Sequence, residues 1–134
     1  MKIAIDTNVL VRYLTWDDEV QATEAAAVIE AADEVHISTV VLCELVWVLT
    51  RAYRYTTNEI VPIIERLAAD REFEIDQIAA RAGLRLLAAG GDFADGVILD
   101  DMQRASCEFL ATFDREFARL IEPSKVTLLG VRMG

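Results

Sequence analysis

A chain of 134 residues has the length of one domain and leaves little room for a second. With 54% hydrophobic and 27% charged residues it can bury a core, which excludes a disordered polymer. A net charge of −10 argues against a nucleic-acid binder, because phosphate contacts normally need a basic field. Two details weaken that objection: 11 of the 13 basic residues are Arg, the side chain suited to bidentate phosphate contact, and acids that hold cations lose their negative field.

Short apolar runs alternate with longer helical patterns. Ile3 to Ile5 reads as a buried strand, followed by a helical stretch over 7–15. Asp18 and Gln21 have capping-box spacing and open a helix to Ala32. Val35 to Ile37 is a second strand, and Ser38 or Thr39 caps a helix to Tyr53. Thr56 with Glu59 is another capping box, for a helix to Ala69 that contains Pro62 near its start. Phe73 to Ile75 is a third strand, 77–88 a helix, and Gly90-Gly91 a break. A helix from Asp92 to Ala105, a strand from Phe109 to Thr112, a short helix over 115–120 and a strand from Val126 to Leu129 complete the chain. The alternation predicts an α/β protein, an α/β/α sandwich around a central, mainly parallel sheet of about five strands.

Glu44 is the sharpest anomaly, the only polar residue between Val40 and Leu49. A helix apolar on all sides is normally buried, and a charge there must be paired, metal-bound or protonated. The alternative is an ion pair, or an acid facing solvent at an edge. Asp6 follows the first strand, where open α/β sheets bind ligands just beyond the strand ends. Asp there is equally a helix cap. Asp114 repeats the pattern after the fourth strand, with the same alternative. Asp92 and Asp95 share a face at the start of the next-to-last helix, where one of them can cap it.

Helices that follow parallel strands begin at the carboxyl edge of the sheet. Glu44 and Asp95 lie in the first turns of such helices, and Asp6 and Asp114 lie at strand ends. Four carboxylates from distant segments are thereby expected at one cleft. Unneutralised they repel, and oxygen-only ligands suit hard divalent ions such as Mg²⁺ or Mn²⁺. Such ions activate water and stabilise the leaving oxygen of a phosphodiester.

Four segments carry a resemblance: Ile3-Ala4-Ile5-Asp6-Thr7-Asn8-Val9-Leu10, the run from Ile37 to Leu45 through Glu44, Asp92-Phe93-Ala94-Asp95-Gly96-Val97-Ile98, and Leu110-Ala111-Thr112-Phe113-Asp114-Arg115-Glu116-Phe117. In order and spacing, across essentially the whole chain, they resemble a PIN domain, specifically the VapC-type toxins of bacterial toxin–antitoxin pairs. The resemblance implies an endoribonuclease dependent on Mg²⁺ or Mn²⁺, an RNA substrate and a cognate antitoxin protein. Asp6, Glu44, Asp95 and Asp114 align with the family's acids. Thr112 aligns with a hydroxyl position near the last acid, and Thr7 and Asn8 with the turn supporting the first. The family pattern, an acid followed by a small residue and two aliphatics, selects Asp95 over Asp92, which becomes an outer-shell group. Gly96 stands where the family more often has Ala.

The remaining features read as ordinary. Cys43 and Cys107 have no metal-ligand spacing and look like small buried hydrophobes of a reducing cytoplasm. His36 is expected to be structural. Trp16 and Trp47 read as core or interface residues rather than base-stacking platforms, and Arg51 and Arg54 as phosphate contacts or solvated charges. The apolar helix at Val40–Leu49 points to a homodimer. No signal peptide and no membrane span are expected. A haloacid-dehalogenase-type phosphatase needs Asp where Asn8 stands and a catalytic Lys, and only Lys2 and Lys125 exist. A response-regulator receiver also needs a Lys beside its acids and leaves Glu44 unexplained. A catalytically silent PIN fold that only binds a partner is the remaining rival.

Overall fold

The computed structural model describes residues 1–130 and carries the predicted alternation. The elements are β1 (Lys2–Ala4), α1 (Thr7–Thr15), α2 (Glu19–Ala31), β2 (Glu34–His36), α3 (Thr39–Arg51), α4 (Thr57–Ala69) and β3 (Phe73–Glu74). They continue with α5 (Gln77–Ala88), α6 (Phe93–Arg104), β4 (Leu110–Thr112), α7 (Arg115–Arg119), a single 3₁₀ turn (Pro123–Lys125) and β5 (Val126–Leu128). All strand pairing is parallel, and helices separate consecutive strands, the arrangement of an α/β/α sandwich. One expectation is corrected. The five strands pair as a ladder of three, in the order β1-β2-β3, and a ladder of two, β4-β5. All five strands are short, two or three residues each, at or below the lower end of ordinary strand length.

The chain divides into two compact units, Met1–Ala80 and the residues from Arg81 on, with the division inside α5. In the first unit the core is built on α3. Its Val41, Leu42, Leu45, Val46 and Leu49 are buried at helical spacing, among Leu10, Ile29, Val35, Ile37, Ile60 and Ile64. Each such side chain contributes roughly 1.5–3 kcal/mol relative to exposure. The helix is not apolar on all sides in effect, because Val40, Glu44 and Trp47 face solvent.

Helix starts follow side-chain chemistry. Asp6, Asp18, Ser38, Thr56 and Asp114 each accept a hydrogen bond from the backbone N–H three residues on. The Thr56–Glu59 capping box is complete and tolerates Pro62 within α4. The predicted box at Asp18 is half made, since the Gln21 side chain instead accepts from Arg12 Nε at 2.7 Å. One smaller reading changes as well: Cys107 is exposed and Cys43 partly so. Of the two readings of the tryptophans the core one falls, since both are exposed.

The β1-β2-β3 ladder carries a charged row. Lys2 Nζ lies 2.8 Å from Glu74 Oε2 and 3.2 Å from Glu34 Oε1, and His36 Nδ1 lies 2.7 Å from Glu74 Oε1. The row gives His36 its structural partner. The Lys2 ammonium first, and His36 second, hold the Glu74 carboxyl down at about 2. A carboxyl depressed on folding stabilises the fold fully above its unfolded value, near 4.5, and loses that contribution as pH falls toward 2. Urea midpoints should therefore drop between pH 5 and pH 2 more steeply in the wild type than in Glu74→Gln; equal slopes would remove Glu74 from the acid response.

In the second unit Leu86, Phe117 and Ile121 form a buried cluster with Leu99, Leu110 and Val126 packed against it. Helices α5 and α6 approach at their backbones. A Cβ on Gly96 would lie 2.2 Å from the Ala82 carbonyl oxygen and 2.8 Å from Gly83 Cα, and a Cβ on Gly83 would strike the Phe93 ring at 2.5 Å. Gly96 is thus required by packing, which overrides the cost of about 1 kcal/mol for glycine within a helix. Gly96→Ala should destabilise the protein by roughly 1–3 kcal/mol as an overpacked site, against its propensity gain. Chemical unfolding that finds the variant more stable would overturn the close approach.

Candidate active site

In the first unit, β1 and β2 are parallel neighbours, so the segments leaving their carboxyl ends, Asp6-Thr7-Asn8 and the start of α3, lie side by side. Thr7 Oγ1 donates to Glu44 Oε1 at 3.0 Å, which fixes the carboxylate that stood alone in an apolar run. Asp6 accepts from Val9 N–H with Oδ1 at 3.1 Å, so the cap reading holds for one oxygen, and among the described residues no hydrogen bond engages Oδ2. Asp6 and Asn8 line an open pocket of about 690 Å³ together with Ile5, Val9, Arg12, Glu24 and Val28. Arg51 and Arg54 are exposed at the end of α3 and in the loop after it.

A network that sequence reasoning missed ties this region together. Arg12 of α1 donates to Asp17 at 3.0 Å, to Tyr53 Oη at 3.0 Å and to Gln21, and Tyr53 Oη donates to Asp17 at 2.5 Å. It joins α1, the start of α2 and the residues just past α3. Its signal was present in Val9-Leu10-Val11-Arg12-Tyr13-Leu14, a charge inside an apolar helical run like that of Glu44.

In the second unit Asp95 lies within electrostatic reach of two other acids. Burial, then the negative charges of Asp92 and Asp114, push the Asp95 carboxyl above its usual range. Asp92 is the N-cap residue of α6 yet makes no cap hydrogen bond, and Asp95 stands in the first turn. Asp95 is therefore not the cap. Asp114 caps α7 through Phe117 N–H at 3.1 Å, and its own N–H donates to Thr112 Oγ1 at 3.0 Å. Thr112 thus orients the turn that presents Asp114, and Asp114 is both a cap and a member of the acidic group.

The chain matches the family model described as the PIN domain over residues 3–122. The chain belongs to the PIN-domain family. No curated protein matches it. A PIN domain has a nuclease fold, so the chain is placed coarsely among the hydrolases, and PIN domains as a class bind divalent metals such as Mg²⁺. Among the described residues no three His, Cys, Asp or Glu side chains already stand as a metal-holding group. The donor chemistry nevertheless fits such an ion: every candidate ligand is a hard carboxylate oxygen, and Asp95 sits among like charges that a cation would relieve. No helix among the described residues is long and apolar enough to cross a membrane.

This electrostatic strain has a measurable consequence. A helix dipole favours an acid in the first turn by some tenths of a kcal/mol, but the raised Asp95 carboxyl shows that burial and the two acids prevail. Asp95→Asn and Asp95→Ala should leave the metal-free protein as stable as the wild type or more so. The gain should stay within about 1 kcal/mol because the site is partly solvated. Urea unfolding in EDTA tests this, and a clearly destabilised Ala variant would make Asp95 a structural residue.

Proposed function

We propose that this PIN domain is a metal-dependent endoribonuclease, the toxin of a type II toxin–antitoxin pair acting in the cytoplasm. Asp6, Glu44, Asp95 and Asp114 would hold Mg²⁺ or Mn²⁺, with Asp92 in the outer shell. The observation that carries this reading is the placing of a partly buried Asp95 near the like charges of Asp92 and Asp114 in a chain of a nuclease family. When bound, the ion supplies charge neutralisation and a polarised water for phosphodiester hydrolysis. The chain's own residues prepare the ligands. Thr7 holds Glu44, Thr112 holds the Asp114 turn, and the helix caps hold Asp6 and Asp114 by one oxygen each. Asn8 lines the pocket beside Asp6, and Arg51 and Arg54 are offered to RNA phosphates. The single histidine is engaged with Glu74, so no imidazole is assigned as a general base.

The antitoxin is proposed to use the pocket beside Asp6. Its apolar lining suits a bulky side chain, and Asp6 and Glu24, two acids against the one cation Arg12, suit an arginine. A homodimer is proposed from the exposed large hydrophobics, Ile98, Phe109 and Phe113 among them. A silent, partner-binding PIN fold is the second reading, favoured by the lack of a preformed metal-holding group among the described residues.

Cleavage of single-stranded RNA separates the two. It should need Mg²⁺ or Mn²⁺, stop in EDTA and fall at least about 100-fold in Asp6→Asn, since the amide keeps shape but loses the anion. Full cleavage in EDTA would sink the metal mechanism, and no cleavage with either ion would favour the silent module.

A further inference from the structure

We propose that the outer face of α3 beside Glu44 is a single-strand RNA subsite, with Trp47 stacking a nucleobase and Arg51 meeting the backbone phosphate. The proposal rests on the nuclease reading and assigns it a substrate-binding surface. Val40, Glu44, Trp47 and Arg51 are spaced by four, three and four residues, so they form one stripe along the helix, and all four are exposed. Helical rise puts Trp47 about 4.5 Å and Arg51 about 10.5 Å along the axis from Glu44. The Arg51 guanidinium lies over the Trp47 ring, 5.8 Å from its centroid, yet Trp47 remains 56% exposed.

A core tryptophan would be covered, and this one is not. Its setting is also unlike a self-association face, because two of the four stripe positions carry opposite charges and interrupt the apolar surface. An aromatic ring with an adjacent guanidinium is the pairing that holds single strands: the ring takes a base of any sequence and the cation takes the phosphate. On a chain of net charge −10, a local cation beside an exposed ring is where a polyanion finds complementarity. The stripe runs directly on from Glu44, so a strand bound there extends to the proposed metal ligand.

The test uses full-length protein carrying Trp16→Phe, which leaves Trp47 as the only tryptophan reporter. An eight-nucleotide mixed-sequence oligoribonucleotide is titrated in Ca²⁺ buffer, and an abasic ribose-phosphate oligomer of the same length serves as the control. The RNA should quench Trp47 fluorescence and the abasic oligomer should not. Trp47→Ala, in the wild-type background, should weaken binding by roughly 5- to 150-fold, Trp47→Phe by much less, and Arg51→Ala should flatten the salt dependence by about one phosphate contact. In Mn²⁺, Trp47→Ala should raise KM more than it lowers kcat.

RNA affinity unchanged in a folded Trp47→Ala, or no quenching by RNA, overturns the subsite even if cleavage is intact. Unchanged affinity with a light-scattering mass reduced to one chain would give the face to a second copy instead. Quenching and the Ala effect without cleavage in Mg²⁺ or Mn²⁺ would support the subsite while the nuclease reading fails.

Discussion

Strands of two or three residues cannot hold a sheet by their ladders alone, and the rest of this structure follows from that constraint. Each ladder has few hydrogen bonds, so the strands are placed by the helices that bury them. In the first unit that duty falls on one face of α3, whose Val41, Leu42, Leu45, Val46 and Leu49 are fully committed to the core. A helix locked in rotation by five buried residues has its opposite face fixed as well. Glu44 and Trp47 therefore point outward because their neighbours point in, and the Thr7 hydroxyl adds the last constraint on the Glu44 carboxylate.

The acids show how a small fold combines stability with reactivity. Asp6 and Asp114 each use one oxygen to cap a helix, a contact that stabilises the fold and fixes the orientation of the carboxylate. Asp92 occupies a cap position without capping, and Asp95 is held at a charge cost. Backbone chemistry thus anchors two acids, while Asp95 is placed by helix geometry against its electrostatic preference. That pattern of unfavourable local choices is where a binding function is expected in an otherwise self-consistent chain.

Much of this was legible in the sequence because it is written in short-range chemistry. Caps at Asp6, Ser38, Thr56 and Asp114 set helix starts, and the alternation of apolar runs gave the α/β class. What escaped were properties decided by three-dimensional burial. The run from Val40 to Leu49 contains too few polar residues to mark its solvent face, so Trp47 read as core or interface. The strands' brevity is invisible where a flanking Ile5 or Ile75 looks like strand. Gly96 could be noticed but not explained, since its reason lies in the Ala82 carbonyl of another helix. The Arg12–Tyr53 contact crosses 41 positions, beyond any local pattern.

The seam between α5 and α6 also constrains how this sequence can drift. The volume that a side chain at position 83 would need is already filled by the Phe93 ring. A smaller residue at 93 would open that space, and only then could 83 gain a side chain without strain. Positions 83 and 93 are therefore steps on one path, passable in one order and blocked in the other. Position 96 has no such partner, because what faces it is main chain, which no substitution can shrink. Along this seam descendants of the chain have one exchangeable contact and one fixed one, and the fixed one lies next to Asp95.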